Sequence, residues 1–199
     1  MTLNDVLTGT KKFITVIADC VDNLSFDANN KNLAAAGCIH LSIGHHAAIA
    51  FLVENQHFGS AAALVRPQFE AFLRGAWLHR CASEAASKEF LEDKDPPSPT
   101  IMIKELEQFE DFKSLVLSLF KQRTWDAMCS YTHAGGLHIT RRISATEIIQ
   151  NYYDEEMINM MEISNLVALY SSVEISTLTK NQNVSNTIYG AYRELTGQS

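Results

Sequence analysis

Arg66, Glu70 and Arg74 recur at four-residue steps, and His79 follows Arg74 by five. An α-helix turns about 100° per residue, so each four-residue step drifts only about 40° and the three charges form one stripe. A carboxylate with a guanidinium one turn away on either side is an ion-paired orienter. Guanidinium groups in turn bind phosphate and neutralise charge on it. An Arg and a His together suit phosphodiester chemistry, the His moving a proton and the Arg stabilising the charged phosphate. The same ladder also reads as an ordinary structural network. Its carrier, Ser60–Cys81, has Leu64, Ala71, Phe72, Trp77 and Leu78 on its flanks and reads as one long helix.

A second polar group lies further along. Thr132 and His133 close a helical stretch, where the C-terminal dipole favours a charged imidazole. Gly135-Gly136 let the backbone turn and leave room for close approach. Thr132, His133 and His138 are therefore expected to face Arg66, Glu70 and Arg74 as one polar pocket. The alternative is a helix stop followed by a surface loop.

Other chemistries find little support. A di-iron carboxylate bundle needs two Glu-x-x-His pairs, and Glu54–His57 is the only one in the chain. H-E-x-x-H is absent, and His45 and His46 point about 100° apart on a helix. Cys20, Cys38, Cys81 and Cys129 form no C-x-x-C pair, against a zinc ribbon or a disulfide framework. Nucleophile elbows, glycine-rich phosphate loops and dinucleotide fingerprints are absent too. The expectation is a site without metal or cofactor.

The elements that must position these residues read as helices. Leu3–Leu24 approximates a helical period, and Ser25–Asn32 is turn chemistry. Leu33–Gln56 is an Ala- and Gly-rich helix expected to be central and largely buried. Pro67 lies inside the third helix and removes one backbone donor, so a kink is expected just before Arg66, or else the helix proper begins near Arg66 with Pro67 in its first turn. Ser60 is a possible cap for that helix, and Ser83–Glu92 reads as its continuation. Lys94–Pro99 (KDPPSP) is the one linker-like stop. A short helix to about Gln108 follows, then a longer one from about Asp111 to His133. Leu115, Leu119 and Trp125 give the latter its apolar side, with a break placed near Arg123–Thr124. Residues 137–143 read as loop. Ser144-Ala145-Thr146-Glu147 has the form of a capping box and predicts a helix start. Asp154–Thr179 is a long helix whose Met-rich side is core or a dimer face. Ser185–Leu195 is a last helix, and no strand is expected.

Length and composition bound the rest. The chain has 199 residues, 46 % of them hydrophobic and 20 % charged, which suits a single domain, residues 1–199, with a real core. Its net charge of −7 excludes a general nucleic-acid binder, so any RNA contact must be local, with Arg66/Arg74 and Arg141/Arg142 as candidates. The N-terminus does not resemble a signal peptide, and the apolar run Ala47–Val53 is too short to span a membrane. A cytoplasmic protein with no membrane partner is expected.

Arg74-Gly-Ala-Trp-Leu-His79 is an Arg, four intervening residues and a His, and here the chain resembles the HEPN superfamily. A broader pattern, L-x-R-P-x-x-E-x-x-x-R-x-x-W-L from Leu64 to Leu78, is followed by a PP-containing loop, Trp125 and Thr132-His133-Ala134-Gly135-Gly136. Over roughly Ala47–Arg142 it resembles bacterial HEPN-like families of uncharacterised function. The resemblance implies an all-α, HEPN-like helical bundle with long central helices, assembled as a homodimer. It also implies metal-independent RNA cleavage, with His79 in proton transfer at the 2′-hydroxyl and Arg74 stabilising the phosphate. Two features depart from the nuclease pattern. HEPN nucleases usually carry a polar residue after the Arg, where this chain has Gly75. Five residues on an ideal helix also set Arg74 and His79 about 140° apart, so they converge only across a dimer interface or at a distorted helix end. Three functions follow: a ribonuclease of a defence or toxin system, a non-catalytic HEPN-like module for a nucleotide, RNA or protein, or a helical dimer without a small-molecule site.

Overall fold

The computed structural model describes residues 1–114 and 116–197. It is all-α, with 76 % of residues helical and nine α-helices among the described residues. These are α1 (Leu3–Val21), α2 (Asn30–Glu54), α3 (Phe58–Arg80), α4 (Glu84–Leu91), α5 (Pro99–Leu106), α6 (Val116–Thr132), α7 (Gly136–Thr140), α8 (Asp154–Leu178) and α9 (Gln182–Thr196). A single 3-10 turn, Glu110–Phe112, precedes α6.

The bundle is centred on α3 and α8. Thirteen of the 23 residues of α3 and 14 of the 25 of α8 are buried, against nine of 25 in α2. The expectation that α2 is largely buried is thus met on one face only. Ala34, Ala35, Ile39, Ile49, Ala50 and Val53 pack inward, while Leu33, Leu41 and Phe51 are exposed. The Met-rich side of α8 is core: Met157, Met160 and Met161 are all buried. α2 and α3 fold back on each other across Asn55–His57, with α1 and α9 packed together beside α8 and with α5 and α6 against α3. α2 and α3 come close at Gly75, where a Cβ would lie 2.6 Å from Ile39 Cγ1 and 3.1 Å from the Ala35 carbonyl oxygen. A polar side chain after Arg74 does not fit there, which accounts for this departure from the nuclease pattern.

Several local expectations are corrected. The predicted break at Arg123–Thr124 is absent, because α6 runs through it. Leu119 is exposed rather than core-facing, and Leu115 lies outside the described residues. α3 begins at Phe58, before Ser60, and Ser83 caps a separate helix, α4. Residues 137–143 hold the short helix α7. Ser144–Glu147 does not open a helix. Ser144 and Glu147 are instead opposite each other in a two-residue antiparallel pair, β1 (Ile143–Ser144) with β2 (Glu147–Ile148). Ala145-Thr146 form its turn, and the pairing continues as Asn151 N–H donates to the Arg141 carbonyl at 2.9 Å. All four strand residues are exposed, so no buried face rewards a helix there.

A polar network locks the central helices. Gln68 is fully buried, its Nε2 donates to the Ser164 carbonyl at 2.9 Å, and its Oε1 accepts from Ser164 Oγ at 2.7 Å. Ser42 Oγ donates to the Gln68 carbonyl at 2.9 Å, which joins α2 to the pair. With its own proton committed to Gln68, Ser164 Oγ accepts from His46 Nδ1 at 3.0 Å. His46 is 1 % exposed, and burial pushes its pKa from 6.5 down to about 3.

This burial has a signed consequence. The folded protein keeps His46 neutral where the unfolded chain takes up a proton. The stability it contributes is therefore complete above pH 6.5 and is lost as pH falls toward about 3. We expect the melting temperature to fall on acidification from about pH 7 to about pH 5, and to fall less steeply in His46→Gln. Equal slopes in the two proteins would show that His46 carries none of this linkage.

Candidate functional site

Pro67 sets the site in place. It has no N–H, so the carbonyl of Ala63, four residues earlier, loses its ordinary helical donor. Thr132 Oγ1, in the last turn of α6, donates to that carbonyl at 3.1 Å. The next residue is His133. The chain then turns sharply, with Ala134 at φ +51° and Gly135 N–H donating to the Ser130 carbonyl at 2.7 Å. Gly135 is required, since a Cβ would lie 3.0 Å from Ser130 Cα.

His133 is thereby held against α3. Arg66 Nη1 lies 2.5 Å from His133 Nε2. Arg66 is an obligate donor, so Nε2 accepts with its lone pair. Arg66 Nε donates to Glu70 Oε1 at 2.7 Å, and Arg74 Nη2 to Glu70 Oε2 at 3.2 Å. The Arg66 guanidinium also lies 4.8 Å from the centroid of the Trp125 ring, which Lys121 Nζ approaches at 5.1 Å. Side-chain exposure is 20 % at Arg66, 16 % at Glu70 and 41 % at Arg74, and His133 is exposed. Arg74 makes one protein hydrogen bond among the described residues, leaving most of its donors to solvent or a ligand. The cluster sets two guanidiniums, an ammonium and an imidazole on one rim with a carboxylate beneath, the imidazole's Nε2 lone pair being taken by Arg66.

His79 belongs to a different cluster. Its Nδ1 lies 2.5 Å from Oε1 of Glu174 on α8. Arg80 Nε reaches both Glu174 oxygens at 2.9 and 3.0 Å, its Nη2 reaches Oε2 at 2.8 Å, and its Nη1 reaches Asp111 at 2.7 Å. Glu174 is 2 % exposed, and Arg80 also lies over Phe112 at 5.2 Å. Burial alone would raise the Glu174 pKa, yet the hydrogen bonds from His79 and Arg80 outweigh it and hold the carboxyl below its ordinary range. Arg74 and His79 thus turn to separate carboxylates, Glu70 and Glu174.

His138 is also elsewhere. Its Nδ1 donates to the Tyr131 carbonyl at 2.8 Å, beside Arg141, which pairs with Glu156 and lies 5.1 Å over Tyr153. Arg142 Nη1 reaches Gln150 at 3.2 Å. Of the sequence candidates, Arg66, Glu70, Arg74 and His133 come together, while His79 and His138 do not join them. Reasoning from sequence missed Glu174, Arg80 and Lys121. The one available signal for Glu174 was a lone carboxylate in the otherwise uncharged run from Ile163 to Thr179. Among the described residues no three His, Cys, Asp or Glu side chains are grouped to hold a metal.

A family of unknown function, DUF6988, matches residues 39–198, which is most of the chain and includes both clusters, and the chain belongs to it. No curated protein and no solved structure matches the chain.

Thr132→Val leaves the Ala63 carbonyl without a donor, and we expect it to cost about 1–2 kcal/mol in urea unfolding and to release His133 from Arg66. A variant as stable as wild type would mean that water satisfies this carbonyl equally well. Glu174→Gln strips Arg80 of a buried counter-ion while Asp111 remains, so we expect a loss of about 3 kcal/mol. A loss below about 1 kcal/mol, the range of exposed pairs, would place the clamp in solvent.

Proposed function

We propose that this member of DUF6988 is a HEPN-like module that binds a phosphate of a short single-stranded RNA at the Arg66–Arg74–His133 rim. The observation that carries the reading is the 2.5 Å approach of Arg66 Nη1 to His133 Nε2, on a solvent-facing rim beside the half-exposed Arg74. Arg66 is preorganised by Glu70 below and Trp125 beside it, so little side-chain freedom remains to be lost when an anion docks. Arg74 keeps donors for a phosphate oxygen in forked geometry. A net charge of −7 favours this local grip over an extended basic track. The Arg and His chemistry implied by the HEPN resemblance is thereby transferred from Arg74 and His79 to Arg66 and His133.

The same contact favours a second reading, metal-independent cleavage at this rim. With Arg66 drawn off to the phosphate, the freed Nε2 of His133 would accept the 2′-hydroxyl proton as that oxygen attacks phosphorus, and the 5′-oxygen would leave taking a proton from water. Arg66 and Arg74 would neutralise the charge gathering on the phosphate oxygens. The expected products are a 2′,3′-cyclic phosphate and a 5′-hydroxyl. His79, held to Glu174, has a structural part in both readings.

Fluorescence anisotropy with a labelled six-nucleotide RNA, in EDTA and low salt, tests the proposal. We expect saturable binding that weakens about tenfold or more in Arg66→Ala and in Arg74→Ala and is unchanged in His138→Ala. Gel analysis of the same mixtures reads cleavage, which the second reading expects to disappear in His133→Ala. No binding by the wild-type protein, or binding as tight as wild type in both Arg variants, sinks the assignment.

A further inference from the structure

A groove opens beside the anion rim, between α5 and α6. It holds about 550 Å³, with Ile103 and Lys104 on one wall and Lys121, Gln122, Trp125 and Asp126 on the other. Contacts across it fix the spacing of the walls. Glu107 accepts from both the backbone N–H and the hydroxyl of Ser118, at 2.8 and 2.7 Å, and Lys121 Nζ donates to Thr100 Oγ1 at 2.8 Å. Trp125 and Lys121 belong to the groove and to the rim alike. The Arg66 guanidinium and Lys121 Nζ lie 4.8 and 5.1 Å from the centroid of the one Trp125 ring. An anion held by Arg66 therefore sits one indole away from the groove.

The polar groups of the groove differ in what they have left to offer. Glu107 and Lys121 are committed to the opposite wall. The side chains of Gln122 and Asp126 are exposed to the groove and make no hydrogen bond or ion pair among the described residues. They are four residues apart on α6, which sets them side by side with Cβ atoms about 5–6 Å apart. Asp126 presents acceptors only, whereas the Gln122 carboxamide both donates and accepts. A phosphate is repelled by Asp126 and attracted by the guanidiniums, so it stays on the rim. What suits the groove is a neutral, flat group bringing adjacent N–H donors. Ile103, 3 % exposed, and the Trp125 ring give such a group an apolar floor.

We infer that this groove is a guanine subsite, an inference that rests on reading the Arg66–Arg74 rim as an RNA phosphate site. The base attached at that phosphate enters between α5 and α6. The Watson–Crick edge of guanine sets N1–H beside the 2-amino group, and the Asp126 carboxylate accepts from both as a fork. O6 continues the same edge and accepts from the Gln122 amide one turn away. Adenine and cytosine instead turn a ring-nitrogen lone pair toward the carboxylate, which repels it. Uracil brings one ring N–H and a carbonyl but no second donor. Guanine is therefore preferred, uracil comes next, and adenine and cytosine are disfavoured.

Fluorescence anisotropy with three labelled six-nucleotide RNAs, in EDTA and low salt, tests the subsite. One is all adenosine, one carries a single central guanosine, and one carries inosine there, which lacks only the 2-amino group of guanosine. The guanosine RNA is expected to bind about tenfold or more tighter than the all-adenosine RNA, with the inosine RNA between them. Asp126→Asn exchanges an acceptor oxygen for a donor and breaks no contact. It is expected to keep wild-type circular dichroism, to bind the all-adenosine RNA no more weakly, and to lose the guanosine preference. Arg66→Ala is expected to weaken all three RNAs. Equal wild-type affinity for the guanosine and all-adenosine RNAs, or a guanosine preference that survives in Asp126→Asn, overturns the subsite and leaves the phosphate site standing. Binding of none of the three overturns both.

Discussion

The missing N–H of Pro67 is the constraint from which the site follows. In the middle of a buried helix an unpaired carbonyl costs about as much as a lost hydrogen bond, so Ala63 needs a donor from outside α3. Thr132 supplies it. That one bond ties the C-terminus of α6 to a fixed level of α3, and the residue after Thr132 is the histidine that meets Arg66. The left-handed turn at Ala134 and the close packing of Gly135 on Ser130 then carry the chain away, so His133 stays at the rim and does not continue the helix.

Polar residues in this protein divide into two kinds of work, both on α3. The Gln68–Ser164–His46 network and the Glu174–Arg80–His79 clamp are buried and mutually satisfied. They fix how α3 lies on α2 and α8. The Arg66–Glu70–Arg74 stripe faces the other way and retains donors toward solvent. Gly75 lies between the stripe and the clamp, where α2 comes close enough to exclude any side chain. A helix fixed so firmly on its buried side holds the exposed stripe in one geometry.

Much of this was legible from the residues. The four-residue steps of Arg66, Glu70 and Arg74 imply the shared carboxylate, and the glycine pair after His133 implies an exposed helix end able to approach it. The Arg74–His79 spacing set them about 140° apart, and the separate carboxylate partners agree with that angle. Glu174 was not legible as the partner of His79, because 95 residues separate them and only the α3–α8 crossing joins them. The hairpin was misread because Ser144–Glu147 satisfies a capping-box pattern. Whether that pattern opens a helix depends on a buried face further on, and Ile143 and Ile148 are exposed. The exposed face of α2 was hidden among its small residues, since Gly and Ala look alike whether they face a core or solvent.

The central claim is that His133 and Arg66 form one anion site positioned by α6 and that His79 lies outside it. Histidine-ring NMR of the wild-type protein, titrated with adenosine 5′-monophosphate in EDTA, addresses it most directly. The account predicts that the His133 ring and the Trp125 indole resonances shift together and saturate with one affinity, while the His79 ring, held by Glu174, stays in place. A saturable shift at His79 with His133 unmoved would contradict it.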